Sequence, residues 1–100
     1  MYTKTEFAER NGMIYCVVRT HYDEVHAGYL MERVDREVKL SNTRRLIVWD
    51  TFTLSELALN GVANSKNCKF SIEIPEIILT DVIEIIPCTK EAMKSIQNVR

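Results

Sequence analysis

Apolar and polar residues alternate with a period of two through most of the first half of the chain, and this alternation is typical of β-strands that bury one face. In the first run, Ile14, Cys16 and Val18 fall on one face and the residues between them fall on the other. Polar or turn-forming residues separate the runs, so consecutive strands can pair after a short reversal. The pattern therefore predicts an antiparallel meander with strands at Met13–Thr20, Val25–Glu32, Glu37–Leu40 and Arg44–Trp49.

Three short features modify this meander. Gly28 lies inside the second strand, where a residue without a Cβ tolerates a close backbone approach or a bulge. Val34–Arg36 is a turn candidate, and Ser41–Thr43 marks a bend before the last of the four strands.

Two capping signals predict helices in the second half of the chain. Thr53–Glu56 has the form of a capping box, in which the Thr hydroxyl and the Glu carboxylate bind free amides at a helix start. We expect this helix to end at Asn60, because Gly61 is well placed to follow the last turn. Thr89 can cap a final helix, whose core-facing residues are predicted to be Ala92, Met93, Ile96 and Val99.

The remaining apolar residues predict further strands between the two helices. Phe70, Ile72 and Ile74 alternate with polar residues as a strand that Pro75 ends. Two more strand segments are predicted at Ile77–Leu79 and Val82–Ile86. The predicted fold class is therefore α+β, an antiparallel β-sheet meander with two short helices.

Length, charge and cysteine content limit the class of protein. The 100 residues are 46% hydrophobic, so we expect one domain over residues 1–100, with the mostly polar residues 1–12 as a loosely ordered N-terminal arm. A net charge of -1 argues against a binder of long nucleic acid or of an anionic membrane. Three cysteines without zinc spacing are a poor disulfide framework and indicate a reducing cytosol. The start is not a signal peptide, and the apolar clusters are too short to span a bilayer.

The sequence carries none of the familiar catalytic motifs. The sequence has no nucleophile elbow, P-loop, dinucleotide fingerprint or HExxH motif. The spacing of His21 and His26 fits neither one helix face nor one strand face, so a solvated hairpin connection is favoured over a metal site. Cys68 has no His close in sequence to act as its base, so burial is favoured over catalysis. We therefore predict no catalytic residue, no metal and no cofactor, and we do not expect an enzyme.

The segment Arg44–Trp49 carries the main functional signal. With a period of two, Arg45, Ile47 and Trp49 share one face, and Arg44 lies on the other. An Arg beside an indole on a strand suits a phosphate attached to a flat base, because Arg pairs with phosphate bidentately and the ring stacks. The structural alternative is a core Trp with one solvated and one salt-bridged Arg. These residues alone leave both interpretations open.

Further cations lie beside an aromatic residue or at the end of a predicted element. Arg19 is on the first strand, Lys69 precedes Phe70, and Arg100 follows the final helix. A compact sheet with helices on one side can bring several of them together. Such a set binds a phosphorylated ring, yet it has no positioned His or paired carboxylates for acid–base work. The sequence therefore predicts binding without turnover.

Several short segments resemble a family of small bacteriophage proteins: Val18–Thr20, Ala27–Leu30, Glu37–Leu40, Arg44–Leu46, Leu54–Ala58 and Asn67–Phe70. This family includes the first Thoeris anti-defence proteins, which act as sponges for cyclic ADP-ribose isomers. The resemblance extends from Ile14 to Val99. It implies a phage protein that acts in the cytoplasm of the infected bacterium, where it sequesters a signal made by a TIR-domain immune enzyme and does not cleave it.

The resemblance also implies a set of ligand-binding residues and an oligomer. Arg19, Phe70 and Arg100 match best the positions that pair with phosphate and stack on a base. Further candidates are Arg45, Trp49, Asn67 and Lys69. Pockets at subunit interfaces would hold a cyclic ADP-ribose isomer or a related cyclic nucleotide, in a homo-oligomer that is a dimer or an assembly of dimers.

The alternative is a small β-barrel interaction module. Ala27–Leu30, a turn and then Glu37–Leu40 resemble Sm-like and SH3-like sheets, which bind RNA or peptides. The predicted capping-box helix and the acidic charge balance count against an RNA-binding ring. A module that binds a host protein remains an alternative on the sequence.

Overall fold

The computed structural model describes residues 7–48, 53–62 and 68–99 as mainly antiparallel β-structure with two short helices. This confirms the predicted antiparallel sheet and the two helices, although the fold is more strongly β than the term α+β implies. Among these residues, no helix is long and apolar enough to cross a membrane. The elements are β1 (Glu9–Arg10), β2 (Met13–Thr20), β3 (Val25–Val34), β4 (Glu37–Val48), α1 (Leu54–Asn60), β5 (Lys69–Phe70), β6 (Ile74–Leu79), β7 (Val82–Pro87) and α2 (Lys90–Asn98).

Strands β2, β3 and β4 form the meander and pair in chain order, but the two separate strands predicted at Glu37–Leu40 and from Arg44 onwards are one continuous strand, β4. The predicted bend at Ser41–Thr43 lies inside β4, which is one strand of 12 residues. Between the pairs Tyr29–Ser41 and Ala27–Arg44, β4 has one residue more than β3, which makes a β-bulge. Asn42 in this bulge has a φ of 50°. Gly28 allows the close approach that was predicted, because a Cβ there would lie 3.0 Å from both the Ser41 carbonyl oxygen and the Thr43 Cβ. The bulge bends the sheet at this position.

The sheet curls into a half-barrel because its two outer strands are consecutive in the chain. β7 pairs with the outer edge of β2 and β6 pairs with the outer edge of β4, although only Thr80 and Asp81 separate β6 from β7. The His21 N–H donates to the Asp81 carbonyl oxygen at 2.9 Å, and the Val82 N–H donates to the Arg36 carbonyl oxygen at 3.0 Å. These bonds hold the two edges together at one end of the sheet.

Both faces of β2 are buried over Tyr15–Val18, whereas alternation alone predicts one buried face. Tyr15 and Val17 belong to a cluster that includes residues of both helices, which we call the helix-side core. Cys16 and Val18 pack on the opposite face with apolar residues of β4, β6 and β7, which we call the inner core. One strand thus separates two apolar clusters, and this places the helices outside the curled sheet.

Both predicted helix caps are confirmed. The Thr53 hydroxyl accepts from the Glu56 N–H at 3.1 Å, and the Glu56 carboxylate accepts from the Thr53 N–H at 3.0 Å. The Thr89 hydroxyl accepts from the Ala92 N–H at 3.1 Å and starts α2. Each cap satisfies an amide that has no partner within its helix.

The two helices are joined where α1 ends. Gly61 follows α1 with a φ of 79°, a conformation that favours glycine. The next amide, that of Val62, donates to the Ser95 hydroxyl of α2 at 2.8 Å. The Thr89 hydroxyl donates to the Leu59 carbonyl oxygen at 2.7 Å. The helices therefore pack as a linked pair on the helix-side core.

Part of the N-terminal segment is more ordered than its polar composition predicts. Residues 7–12, which were expected to lie in a loose arm, form β1 and a β-bridge between Phe7 and Thr89. Ala8 is buried, and its N–H donates to the Cys88 carbonyl oxygen at 2.9 Å. Burial of Ala8 and these backbone contacts fix the segment, while residues 1–6 of the predicted arm lie outside the described part of the chain.

The predicted strand from Phe70 to Ile74 has the wrong bounds. β5 ends at Phe70, and the next strand begins at Ile74 and passes through Pro75. Proline lacks the N–H that a ladder hydrogen bond requires. This lack ends a strand in the centre of a sheet but is tolerated at a sheet edge. Among the described residues, β6 pairs with β4 and with no other strand, so its Pro75 can occupy an edge position.

Candidate functional site

A groove of about 580 Å³ lies between the β2–β3 connection, strands β3 and β4, and the segment from Ser71 into β6. Small-molecule sites typically enclose roughly 300–1,000 Å³. We call this the Arg45 groove, and it is lined by Asp23, Glu24, His26, Thr43, Arg45, Leu46, Ile47, Ser71, Ile72, Ile74 and Ile77.

The pairing of the strands places these side chains on one face. His26 of β3 lies opposite Arg45 of β4, and Thr43 is opposite Ile74 of β6. Thr43 and Ile47 are each two residues from Arg45, so all three share a face of the strand. The predicted shared face of Arg45 and Ile47 is therefore observed, and the third predicted member, Trp49, lies outside the described residues.

The Arg45 guanidinium is only weakly engaged. Its side chain is 49% exposed, and its one ion pair within the described ranges is with Glu24, at 4.0 Å between Nη1 and Oε2. The other acidic residue of the groove, Asp23, is held by Arg19 at 3.0 Å. A guanidinium has five N–H donors. Arg45 therefore retains the capacity to bind an anion.

Two buried polar side chains lie beside Arg45. His26 and Thr43 are each only 1% exposed, and the His26 Nε2 and Thr43 Oγ1 atoms have no hydrogen-bond partner among the described residues. Burial lowers the pKa of His26, and the Arg45 charge lowers it further, while Glu24 acts in the opposite direction. The imidazole is therefore uncharged at neutral pH.

Ser71 fixes the wall of the groove against β4. Its hydroxyl accepts from the Arg45 backbone N–H at 2.8 Å, and its own N–H donates to the Arg45 carbonyl oxygen at 2.8 Å. The Arg44 Nε donates to the Ser71 carbonyl oxygen at 2.9 Å from the other side of the strand. The groove wall is thus held by both neighbouring arginines.

Arg44 belongs to the helix-side core rather than to the groove. It is 8% exposed, its Nη1 donates to the Ile96 carbonyl oxygen at 2.7 Å, and its guanidinium carbon lies 5.2 Å from the centre of the Phe70 ring. These contacts tie β4 to the end of α2. The predicted opposite orientation of Arg44 and Arg45 is therefore observed.

The single chain does not gather all the predicted ligand-binding residues. Arg19 lies on the helix-side face of β2, where it binds Glu84 at 3.2 Å as well as Asp23. Phe70 is 4% exposed beneath Arg44, so its ring is closed to a ligand in this arrangement. Lys69 is exposed on β5 and does not line the groove. Trp49, Asn67 and Arg100 lie outside the described residues.

His26, Thr43 and Ser71 were not predicted as site residues. The sequence favoured a solvated hairpin connection for His26, but His26 lies in β3 and is buried. Its position two residues before Gly28, within an apolar strand, was the available signal. Thr43 and Ser71 gave no comparable signal, because their roles depend on pairing between distant segments.

Metal-ligating residues and thiols provide no further candidate for chemistry in the described part of the chain. In the described part of the chain, no group of three or more His, Cys, Asp or Glu side chains has the arrangement of a metal site. The thiols Cys16, Cys68 and Cys88 are buried, and this burial raises the pKa of each. The predicted burial of Cys68 is confirmed, and these thiols remain protonated at neutral pH.

A larger depression of about 940 Å³ lies between the β3–β4 turn and β7. It contains none of the predicted site residues, and the three buried polar atoms that have no partner in the described ranges lie elsewhere. The Arg45 groove is therefore the stronger candidate for a site.

Comparison with known proteins identifies a family but not an activity. Residues 13–96 match the family described as a domain of unknown function, DUF6948. The match begins at β2 and ends within α2, so it includes every residue that lines the Arg45 groove. No curated protein and no solved structure matches the chain. The chain belongs to the DUF6948 family.

Proposed function

We propose that this protein binds a cyclic ADP-ribose-type cyclic nucleotide in the Arg45 groove and holds it without cleaving it. As a phage anti-defence protein in the cytoplasm of an infected bacterium, it would remove an immune signal and leave the host effector inactive. The observation that carries the proposal is the half-exposed Arg45 guanidinium in a groove with apolar walls. A cation beside apolar surface matches the chemistry of a phosphate joined to a flat ring.

The isoleucines of the groove support the ring-binding part of this proposal. Ile47 is 49% exposed and Ile72 is 81% exposed, and Ile74 and Ile77 line the same groove. Single exposed apolar residues are ordinary on a protein surface, whereas a contiguous group marks a binding surface. A ring that covers them gains roughly 25 cal/mol per Å² of apolar surface removed from water.

The affinity that sequestration requires supports an oligomer. A sponge competes with a receptor for a scarce signal, and a nanomolar Kd corresponds to about -12 kcal/mol. One charge-assisted contact contributes roughly 1.5–3 kcal/mol and covering the isoleucines adds roughly 25 cal/mol per Å², before the cost of association. We therefore propose that a second copy of the chain covers the groove in a homo-oligomer. The high exposure of Ile72 supports such a cover.

Binding without turnover is proposed because no acid–base group that lines the groove is both exposed and free of an ion pair. The two carboxylates, Asp23 and Glu24, each face an arginine. The His26 imidazole is buried. General acid–base catalysis needs a group within hydrogen-bond reach of the reacting bond. Time-dependent conversion of the ligand would contradict this part of the proposal.

The proposal is tested by capture and release. Purified protein is mixed with cyclic ADP-ribose isomers, separated from free ligand on a desalting column and denatured by heat, and the released molecules are identified by mass spectrometry. Near-stoichiometric release of intact ligand is expected from the wild type and from Arg33→Ala, which removes an exposed cation outside the groove. Arg45→Ala should release little. A modified product would mean an enzyme, and the absence of capture would contradict the proposal.

A protein- or RNA-binding module is the second candidate. The curled half-barrel and the exposed isoleucines also suit a small β-barrel that binds a host protein or RNA. RNA retention that falls steeply with salt, or a stable complex with a host protein, would favour this candidate. Salt-tolerant capture of a small molecule would favour the sponge.

A further inference from the structure

Buried polar atoms without partners are concentrated at the Arg45 groove. In the described ranges there are three such side-chain atoms, and two of them, His26 Nε2 and Thr43 Oγ1, belong to residues that line this groove. The third, the Tyr15 hydroxyl, is in the helix-side core. Because folded proteins pair nearly all buried polar groups, two exceptions beside one groove indicate a role there.

The sheet itself gives these two atoms few possible partners. His26 pairs across strands with Val18 on one side and Arg45 on the other, and Thr43 pairs with Ile74. Gly28 offers no side chain at all, and a Cβ at this position would lie 3.0 Å from the Thr43 Cβ. Both residues line the Arg45 groove, so the groove is the side from which a partner for the two atoms can approach.

The chemistry of the two side chains defines that partner. A hydroxyl can donate and accept a hydrogen bond, and an uncharged imidazole carries one N–H and one acceptor nitrogen. The surrounding isoleucines disfavour a charged group, because a charge buried among apolar side chains loses its hydration. What fits is an uncharged planar group with a donor and an acceptor on its edge, such as the edge of a nucleobase.

We propose that His26 and Thr43 recognise the uncharged hydrogen-bonding edge of a nucleobase, while the phosphate of the same ligand stays at Arg45. The nucleotide nature of the ligand rests on the proposed function. Both polar atoms are closed to solvent in the unliganded chain, so the isoleucines beside them shift when the base is seated. His26 and Thr43 thus set base specificity, and Arg45 supplies the contact to phosphate.

The Thr43→Val variant distinguishes a role of the Thr43 hydroxyl in ligand recognition from a role in stability alone. It keeps the shape of the side chain and removes an unpartnered hydroxyl, so the ligand-free variant should melt several degrees above the wild type. The same variant should bind a base roughly tenfold more weakly, while Thr43→Ser, which keeps the hydroxyl, should bind as the wild type does. A residue with a purely structural role would not raise stability and lower affinity together.

The decisive experiment uses nucleosides without phosphate, added to the full chain while NMR signals of Thr43 and His26 are recorded. Adenosine or inosine at millimolar concentration should shift both signals in the wild type and in Arg45→Ala, and ribose alone should shift neither. In Thr43→Val the His26 signal should need a roughly tenfold higher nucleoside concentration for the same shift. The inference is overturned if no nucleoside shifts these signals in the wild type or if the His26 signal of Thr43→Val shifts at the same concentration as in the wild type. Because the probes carry no phosphate, the outcome is separate from capture of cyclic nucleotides, on which the proposed function depends.

Discussion

Arg44 and Arg45 are adjacent in the chain, but their guanidinium groups lie on opposite faces of β4 and perform different tasks. Arg44 is 8% exposed and bonds to the carbonyl oxygens of Ser71 and Ile96. Arg45 is half-exposed in the groove, with Glu24 at 4.0 Å. The strand period of two produces this division. We therefore expect substitution of Arg44 to lower stability and substitution of Arg45 to leave stability nearly unchanged.

Arg44→Lys should destabilise the fold, because an ammonium cannot reach both carbonyl oxygens with the fork geometry of a guanidinium. We expect a loss of about 2–3 kcal/mol in the free energy of unfolding. Arg45→Lys is the matched control and should change this free energy by less than about 0.5 kcal/mol. Urea unfolding followed by circular dichroism measures both. Equal losses in the two variants would show that Arg44 is not a structural link.

Gly61→Ala should weaken the contact between the two helices. Gly61 has a φ of 79°, and a Cβ on it would collide with the Ser95 side chain. We expect a loss of about 2–3 kcal/mol, from backbone strain together with this collision. Gly12→Ala is a useful comparison, because Gly12 also has a positive φ but has no heavy atom within 4 Å of the added Cβ. Gly12→Ala should lose less free energy of unfolding than Gly61→Ala. A larger loss in Gly12→Ala would contradict the predicted collision with Ser95.

Stability should fall on mild acidification because of His26. Burial lowers the folded-state pKa of His26 below its ordinary value of 6.5. The unfolded chain therefore binds a proton first as the pH falls through about 6.5, which stabilises the unfolded state until the folded pKa is passed. His26→Gln should show a smaller loss of unfolding free energy between about pH 7.5 and pH 5. Parallel pH profiles for the wild type and the variant would contradict this role of His26.

Glu24→Gln tests the charge of the ligand. Removal of the carboxylate that stands 4.0 Å from the Arg45 Nη1 leaves the guanidinium without its partner in the groove. An anionic ligand should then bind roughly two- to fivefold more tightly at low salt, with less difference at high salt. A partner protein that anchors through a basic side chain would instead bind more weakly. Fluorescence-based titration at two salt concentrations distinguishes these cases.

Local signals in the sequence were sufficient to predict the two helices and the antiparallel order of the meander strands. The capping box at Thr53–Glu56, the cap at Thr89 and the alternation of Met13–Thr20 each depend on residues that are close in the chain. The break between Phe70 and Ile74 was missed because the Arg45 N–H donates to the Ser71 hydroxyl, and the Ser71 carbonyl oxygen accepts from the Arg44 side chain, so side chains replace the strand ladder there. A pattern of alternation does not reveal such a long-range bond.

The site was predicted only in part, and for the same reason. Arg45 and Ile47 were assigned to one face from the strand period, and this face lines the groove. Arg19 and Phe70 were assigned to the site from the resemblance to the phage family, but Arg19 is engaged by Asp23 and Glu84, and Phe70 is buried under Arg44. Which face of a curled sheet a residue occupies depends on pairing and bulges that the sequence does not specify.

The most direct test of the account is calorimetric titration of cyclic ADP-ribose isomers into the wild type, Arg45→Ala and Arg33→Ala. We expect tight binding by the wild type and by Arg33→Ala, and affinity roughly 10- to 100-fold lower for Arg45→Ala with an unchanged melting temperature. Equal affinity in all three proteins would place the ligand outside the Arg45 groove. The absence of binding by the wild type would contradict sequestration itself.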